Sequence, residues 1–366
     1  MGFSDFIGNA ETVRRVREML ARDRFPHGII LSGPEGSGKY LFAQMIAKAM
    51  NCQNPPSGPL PDFCGACPSC VEIAGADDFE SKFEEAVEAR EALRDVDKKD
   101  TRIFLQTHPD VLIIPPDPPQ LMIKVDQVRH VIANIYKRPR MGRHSVFIFT
   151  TSAMMKEAAN SLLKVLEEPP GYAILFLLTT NPGEFLPTIR SRCITLQLAP
   201  LKTAEIESLL ANLKFDWPAS TRSLVARLSD GAVGRALAFD LQSYTAARKD
   251  ALVLLTSALG TEDHSFLFRM TETYRAGAEG KAKTDQLLRV AYGLLQDFLY
   301  VKSGMPQSIR NTDISTEITK LAANLDFDWI TLATQRLSEV ESGMRRNVLR
   351  SLSLDSFAAA MDRQPA

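Results

Sequence analysis

Gly28-Ile29-Ile30-Leu31 runs through Ser32 into Gly33-Pro34-Glu35-Gly36-Ser37-Gly38-Lys39-Tyr40, and Leu41 to Met50 continues at helical spacing. The apolar run reads as a short buried strand, so the order is strand, glycine-rich loop, helix. The loop matches G-x-x-x-x-G-K-[ST] at every position but the last. Gly33, Gly36 and Gly38 let backbone amides converge on phosphate oxygens, the helix N-terminus adds its positive end, and Lys39 reaches the terminal phosphates. A chance glycine-rich turn is the alternative, and the flanking strand and helix argue against it. The missing position is the one that brings a short hydroxyl to Mg²⁺. Tyr40 places its oxygen several ångströms too far out, behind a ring.

A hydrolysing site of this kind also needs an Asp-Glu pair at the end of a neighbouring strand. The matching strand here, Val146-Phe147-Ile148-Phe149, runs into Thr150-Thr151-Ser152-Ala153 and offers neither carboxylate. Two separate parts of the machinery are absent. The expectation is a chain that does not hydrolyse ATP, with ATP or ADP binding through Gly33, Gly36, Gly38 and Lys39 weakened or lost.

Working outward, Thr12, Val13, Val16, Met19 and Leu20 fall at helical spacing before Pro26. Val111-Leu112-Ile113-Ile114 and Ile174-Leu175-Phe176-Leu177-Leu178 join the strand at 146–149 as near-continuous apolar runs, and helical stretches separate the later ones. Such strands alternating with helices predict an α/β domain whose parallel sheet is covered on both faces. Residues 77–100 carry ten acidic and five basic side chains, with Phe79, Phe83, Val87, Leu93 and Val96 at roughly helical spacing. They read as an exposed amphipathic helix, an insertion over about 77–104, and a solvated face without a role is the plainer reading. Beyond about residue 200 only helical periodicity continues. The expected division is 1–198, a short helical domain at 199–243, and a longer all-α domain at 244–366, with a loop at Ser303-Gly304-Met305-Pro306.

The 366 residues are 45% hydrophobic and 24% charged, ordinary for a globular protein and sufficient for two or three cores. Lys plus Arg (43) and Asp plus Glu (44) nearly cancel, so net charge does not imply a grip on nucleic acid. Lys137-Arg138-Pro139-Arg140 with Arg143 is the strongest basic cluster; it could touch DNA phosphate, but a solvated loop is the favoured reading. No apolar run reaches membrane-spanning length, and the opening MGFSDFIGNAETV lacks a secretory pattern, so a cytoplasmic product with no membrane partner is expected.

Four of the five cysteines, Cys52, Cys64, Cys67 and Cys70, form C-x11-C-x2-C-x2-C. Four thiolates can close a tetrahedral zinc shell, and two-residue gaps let successive cysteines reach one ion from a tight turn. Gly65, Pro68 and the upstream prolines supply turn chemistry. A structural zinc is expected, since four sulfurs leave no open position; reduced buried thiols are the alternative.

Phe6-Ile7-Gly8, the loop at 33–40, the cysteine module, His108-Pro109-Asp110 and Ile123-Lys124-Val125-Asp126-Gln127-Val128-Arg129 together resemble the bacterial clamp-loader subunits of the AAA+ family. So do Ala159-Asn160-Ser161-Leu162-Leu163-Lys164-Val165-Leu166-Glu167-Glu168-Pro169-Pro170, Thr179-Thr180-Asn181 and Ser191-Arg192-Cys193. The resemblance is dense to about residue 200. It thins beyond, at Ser229-Asp230-Gly231 with Gly234-Arg235-Ala236-Leu237 and at Leu294-Leu295-Gln296-Asp297-Phe298-Leu299. It implies a RecA-like AAA+ domain with a zinc module, then a helical lid and a helical oligomerisation collar. It implies gamma/tau and delta subunits as partners, with the sliding clamp and primer-template DNA met within the complex. The degraded loop beside an intact Ser-Arg-Cys is the delta-prime pattern within that family. Arg192 would then be an arginine finger reaching a neighbouring subunit's ATP, with Cys193 helping to place it; on its own, Arg192 reads as an ordinary surface or helix-capping arginine. Arg235 falls near the family's second sensor arginine. An active gamma/tau-type ATPase and a zinc adaptor outside replication are the rival readings.

Overall fold

The computed structural model describes residues 2–22, 24–214, 216–260, 265–274, 277–344 and 349–362. Contacts divide the chain into two units, Met1–Lys202 with Gly231–Arg235, and Thr203–Asp230 with Ala236–Ala366.

The first unit is built on one sheet. Its strands are β1 (Gly28–Ser32), β2 (Leu105–His108), β3 (Val111–Ile114), β4 (Ser145–Phe149), β5 (Ala173–Thr179) and β6 (Ile194–Gln197). The order across the sheet is β2-β3-β4-β5-β1-β6. Every pairing is parallel except β2 with β3, an antiparallel edge. The parallel sheet predicted from the apolar runs is present, and β2 and β6 are added at its edges. Both are short and partly exposed, so neither carries a continuous apolar run.

Because successive side chains of a strand point to opposite faces, β1 serves two cores. Ile29 and Leu31 pack with α1 (Ala10–Ala21), α2 (Lys39–Asn51) and the cysteine segment that leads into α3 (Pro68–Ala74). Ile30 packs on the other face with β3, β4 and β5 residues of the same parity. The 77–100 segment breaks into α4 (Phe79–Glu91) and α5 (Asp95–Asp100) instead of forming one helix. Phe79 and Phe83 stack on each other and pack against the first core, whereas Leu93 and Val96 are 38% and 74% exposed. The expected single exposed amphipathic helix is thereby corrected: its first half is docked, and the chain turn at 92–94 removes Leu93 and Val96 from that face. Arg90 anchors the segment, buried with Asp117 at 3.0 Å. The second face is covered by α6 (Val125–Ile135), α7 (Lys156–Glu167) and the short α8 (Pro187–Arg190).

His108-Pro109-Asp110 organises the loop that carries the basic cluster. Asp110 accepts the amides of Arg140 (2.6 Å), Met141 (2.8 Å) and Gly142 (2.6 Å). Burial opposes its ionisation, but those donors win and hold its carboxyl below the usual range. His108 bridges Ser69 Oγ (2.9 Å) and the Asp110 amide (3.0 Å), and burial lowers its pKa.

The second unit is helical among the described residues: α9 (Thr203–Leu213), α10 (Ala219–Leu228), the end of α11 (Val233–Leu237), α12 (Leu241–Ser257), α13 (Ser265–Glu272), α14 (Gly277–Lys302), α15 (Ser315–Ala323), α16 (Phe327–Met344) and α17 (Arg350–Asp362). Within this unit Arg310 pairs with Asp230 at 2.6 Å, and Arg227 donates to the Ile309 carbonyl at 3.3 Å. Asp297 is fully buried on α14 and accepts the amides of Arg310 (2.8 Å) and Asn311 (3.1 Å), which fixes the chain after the loop at 303–306.

Candidate nucleotide loop, metal site and exposed arginine

The loop at 33–40 leaves the C-terminal end of β1, where open α/β sheets place their ligands. Gly36 and Gly38 have φ of 77° and 85°, the left-handed region that favours glycine. A Cβ on Gly36 would also lie 2.8 Å from the Arg235 backbone nitrogen, and the Gly234 amide donates to the Gly36 carbonyl at 2.8 Å. Arg235 is therefore placed beside the loop, with its backbone closing on it.

Lys39 and Tyr40 are both turned into the fold. Lys39 Nζ donates to the carbonyls of Gly33 (2.8 Å) and Pro34 (2.7 Å). Burial lowers its pKa, against the opposing charge of Glu35. Tyr40 Oη donates to the Ala76 carbonyl at 2.5 Å and accepts from Gln44 at 2.6 Å, and its ring meets Phe79 at 5.1 Å. The side chain standing at the metal-ligand position ties α2 to the start of the docked segment. Burial raises its pKa far above an ordinary tyrosine.

The ends of β4 and β5 lie alongside. Thr150 Oγ1 is buried without a hydrogen bond. Thr179 Oγ1 lies 2.9 Å from the Asn181 carbonyl and 3.0 Å from Glu184, sharing its one proton between these acceptors, and Glu184 also accepts from Ser152. Glu184 is a carboxylate near this rim that sequence spacing did not mark, and it is engaged by neighbouring hydroxyls.

Cys52, Cys64, Cys67 and Cys70 converge, with all four sulfurs within 4.8 Å of one another. Cys52 Sγ lies 3.6 Å from Cys64 Sγ and 4.0 Å from Cys67 Sγ. A disulfide needs about 2.05 Å, whereas a tetrahedral shell with ~2.3 Å metal–sulfur bonds has sulfur–sulfur edges of about 3.8 Å. Backbone amides point at the sulfurs: Cys64 N to Cys52 at 3.3 Å, Cys67 N to Cys64 at 3.2 Å, Gln53 N to Cys67 at 3.4 Å. Gly65, at φ 69°, makes the turn between the second and third cysteines. Burial pushes the Cys67 thiol up, but amide donors outweigh it and bring it to about 6, while burial pushes Cys70 up. The group can hold a metal ion. It is moored to the sheet domain by Arg17, which donates to the carbonyls of Pro61 and Leu60 at 2.9 Å each.

Arg192 lies elsewhere. It precedes β6, whose Ile194 pairs with Ile29, so it sits beside the N-terminal end of β1. A Cβ on Gly28 would lie 2.9 Å from Cys193 Sγ and 3.3 Å from the Arg192 carbonyl, so a glycine is needed for this approach. Gly28 to Gly33 is five strand steps, about 16 Å at ~3.3 Å per residue. Arg192 and its own chain's phosphate-type loop thus occupy opposite ends of β1. Its side chain, 33% exposed, donates to Thr188 O (2.8 Å) and Ser191 Oγ (3.3 Å) and pairs with Glu167 at 2.5 Å. Glu167 is a second residue that sequence reasoning did not single out.

A family model described as DNA polymerase III, delta subunit, matches residues 8–202, which hold the whole sheet, the loop at 33–40, the four cysteines and Arg192. The chain belongs to this family. This is the clamp-loader group that its motifs resemble. DNA polymerase III subunit delta' of Pseudomonas aeruginosa is 32% identical over 217 residues, 59% of this chain and 56% of its own length. Subunit tau of Escherichia coli is 26% identical over 276 residues, 74% of this chain and 37% of its own length. The match therefore spans little more than half of the delta' relative. Among solved structures, a gamma subunit-related protein of Thermotoga maritima is 18% identical with a TM-score of 0.38, over 95% of this chain and 98% of its own. The RuvB Holliday junction branch migration motor of the same organism is 14% identical with a TM-score of 0.38, over 82% of this chain and 78% of its own. Among the described residues no helix is long and apolar enough to cross a membrane.

Proposed function

We propose that this polymerase III delta-family chain is a non-hydrolysing, AAA+-type subunit of a cytoplasmic clamp loader. With gamma/tau and delta subunits it would help place the sliding clamp on primer-template DNA. The observation that carries the reading is the separation of Arg192 from its own loop by the length of β1. An arginine finger works by bringing a planar, permanently charged fork to a transferring phosphoryl group. From the far end of β1, Arg192 has no such group to serve in its own chain, so its use is in trans, at a neighbouring subunit's ATP.

The state of the chain's own loop supports the same division of labour. Tyr40 brings no short hydroxyl to a metal, no carboxylate follows β4, and Lys39 is engaged by loop carbonyls. Gly33, Gly36, Gly38 and Lys39 are then a retained scaffold for helix α2. Cys52, Cys64, Cys67 and Cys70 hold a structural zinc, a closed shell with no position left for chemistry. The helices at 199–243 act as a lid segment and those at 244–366 as the oligomerisation collar.

Mixing the purified chain with gamma/tau and delta subunits tests this. It should co-elute with them as one complex, and alone it should show no ATP hydrolysis above background. Failure to join the complex, or hydrolysis by the isolated chain that vanishes in Lys39→Ala, contradicts the reading.

A further inference from the structure

We infer that Glu167 is a positioning residue for Arg192, holding the guanidinium in the attitude in which it meets a neighbouring subunit's ATP. The inference rests on the finger reading above and adds a residue to it. Arg192 follows α8 after a single residue, and a long side chain on such a short connection has many rotamers. Three recorded bonds reduce them. Nη1 donates to Thr188 O and to Ser191 Oγ, both in the same turn, and these alone leave the plane of the fork free to swing. The third bond, Nη2 to Glu167 Oε1 at 2.5 Å, comes from a different element, the last residue of α7. A contact from a separate helix fixes the direction of the plane, which the local turn cannot do.

A guanidinium has five N–H donors. Three are used within the chain, so two remain for phosphate oxygens while the pair with Glu167 is kept. The pair is partly open to solvent, with side chains 33% and 48% exposed, and surface pairs of this kind contribute little to stability. Its value is orientation. Glu167 itself is fixed because it ends α7, whose Leu162, Val165 and Leu166 are buried under the sheet, and Pro169-Pro170 follow at once. The carboxylate is thus presented from a rigid helix end to a residue on a short connection.

The test is a double-mutant cycle in the reconstituted loader, reading DNA- and clamp-stimulated ATP turnover, with complex assembly checked by gel filtration. Glu167→Ala should lower kcat by a large part of the loss that Arg192→Ala causes, which is one site's share of the loader's turnover, since misorientation of a group acting at the reaction centre costs rate. KM for ATP should stay within about twofold of wild type. Glu167→Gln, which keeps an oxygen acceptor for Nη2, should recover most of the loss. Arg192→Ala with Glu167→Ala should be no slower than Arg192→Ala alone, which a separate structural defect at Glu167 would not give. If Arg192→Ala is slow while Glu167→Ala matches or exceeds wild type, or if the two losses multiply, the positioning role is wrong and the finger stands. If Arg192→Ala itself turns over like wild type, the finger reading fails and takes this inference with it.

Discussion

The two ends of β1 differ in where their charged groups point. At the C-terminal end Lys39 and Tyr40 donate to backbone carbonyls of their own unit, and Arg235 packs its backbone on the loop. At the N-terminal end Arg192 is one-third exposed, pinned by Thr188, Ser191 and Glu167, with donors left over. One end keeps the glycines and lysine of a nucleotide loop, with the Lys39 and Tyr40 side chains bonded to backbone carbonyls. The other presents the Arg192 guanidinium at the edge of the sheet. A motif's glycines can outlast its chemistry because they also shape the backbone, whereas an exposed guanidinium held by three bonds has no comparable burial to explain it.

The largest effect separating a structural from a catalytic element should come from the cysteines, which serve neither end of β1. Apparent binding energies of structural zinc sites run to about 10–16 kcal/mol. Cys67→Ser should reduce zinc from near one per chain to near zero and expose residues 52–70 to proteolysis. Metal analysis of freshly purified, reduced wild-type protein that finds no zinc would remove this part of the account.

A smaller effect is expected at the loop end. Tyr40→Thr completes the G-x-x-x-x-G-K-[ST] pattern but removes the ring from Phe79 and the hydroxyl from Ala76 and Gln44. Loss of a large, mostly buried aromatic costs about 3 kcal/mol. Denaturant unfolding should register that loss, and ATP hydrolysis should not appear. A variant as stable as wild type, or one that gains hydrolysis, would mean that the loop is poised rather than structural.

The smallest of these effects should come from Asp110, which organises the basic loop without belonging to either end. Asp110→Asn replaces a charged acceptor of three amides and should cost about 2 kcal/mol at neutral pH. The sign follows from its lowered folded-state pKa. Its contribution is present above the unfolded carboxylate value, about 3.9, and is lost as pH falls through the lower folded value. The gap between the two proteins should therefore narrow as pH falls below about 4 and close only below the lower folded value. A gap that persists unchanged in acid would contradict it.

Much of the sheet was legible because buried parallel strands read as continuous apolar runs: β1, β3, β4 and β5 all do. Leu105-Gln106-Thr107-His108 and Ile194-Thr195-Leu196-Gln197 escaped notice because exposed polar residues interrupt each edge strand, so neither has a continuous apolar run. The cysteine spacing was local and therefore readable. The pairing of Arg192 with Glu167 was not, because they lie 25 residues apart with three elements between them, and no periodicity links a helix end to a later turn. The break at 92–94 was hidden for a related reason. The charged run keeps helical composition through it, and only the docking of Phe79 and Phe83 beneath it decides which half packs.

The central claim is that this chain's contribution to ATP turnover leaves through Arg192 and not through its own loop. Stimulated ATP hydrolysis by a loader reconstituted with wild-type, Lys39→Ala or Arg192→Ala chain measures both at once. Fingers supplied in trans are worth roughly 10³ to 10⁵ in rate in GTPases, although a loader with several ATP sites loses only one site's share. Lys39→Ala should leave turnover and clamp loading at the wild-type level. Arg192→Ala should lower both while zinc content and assembly stay intact, and Arg192→Lys should rescue poorly for want of a planar fork. Full turnover with Arg192→Ala, or a loss with Lys39→Ala that equals the loss of an active site, would contradict it.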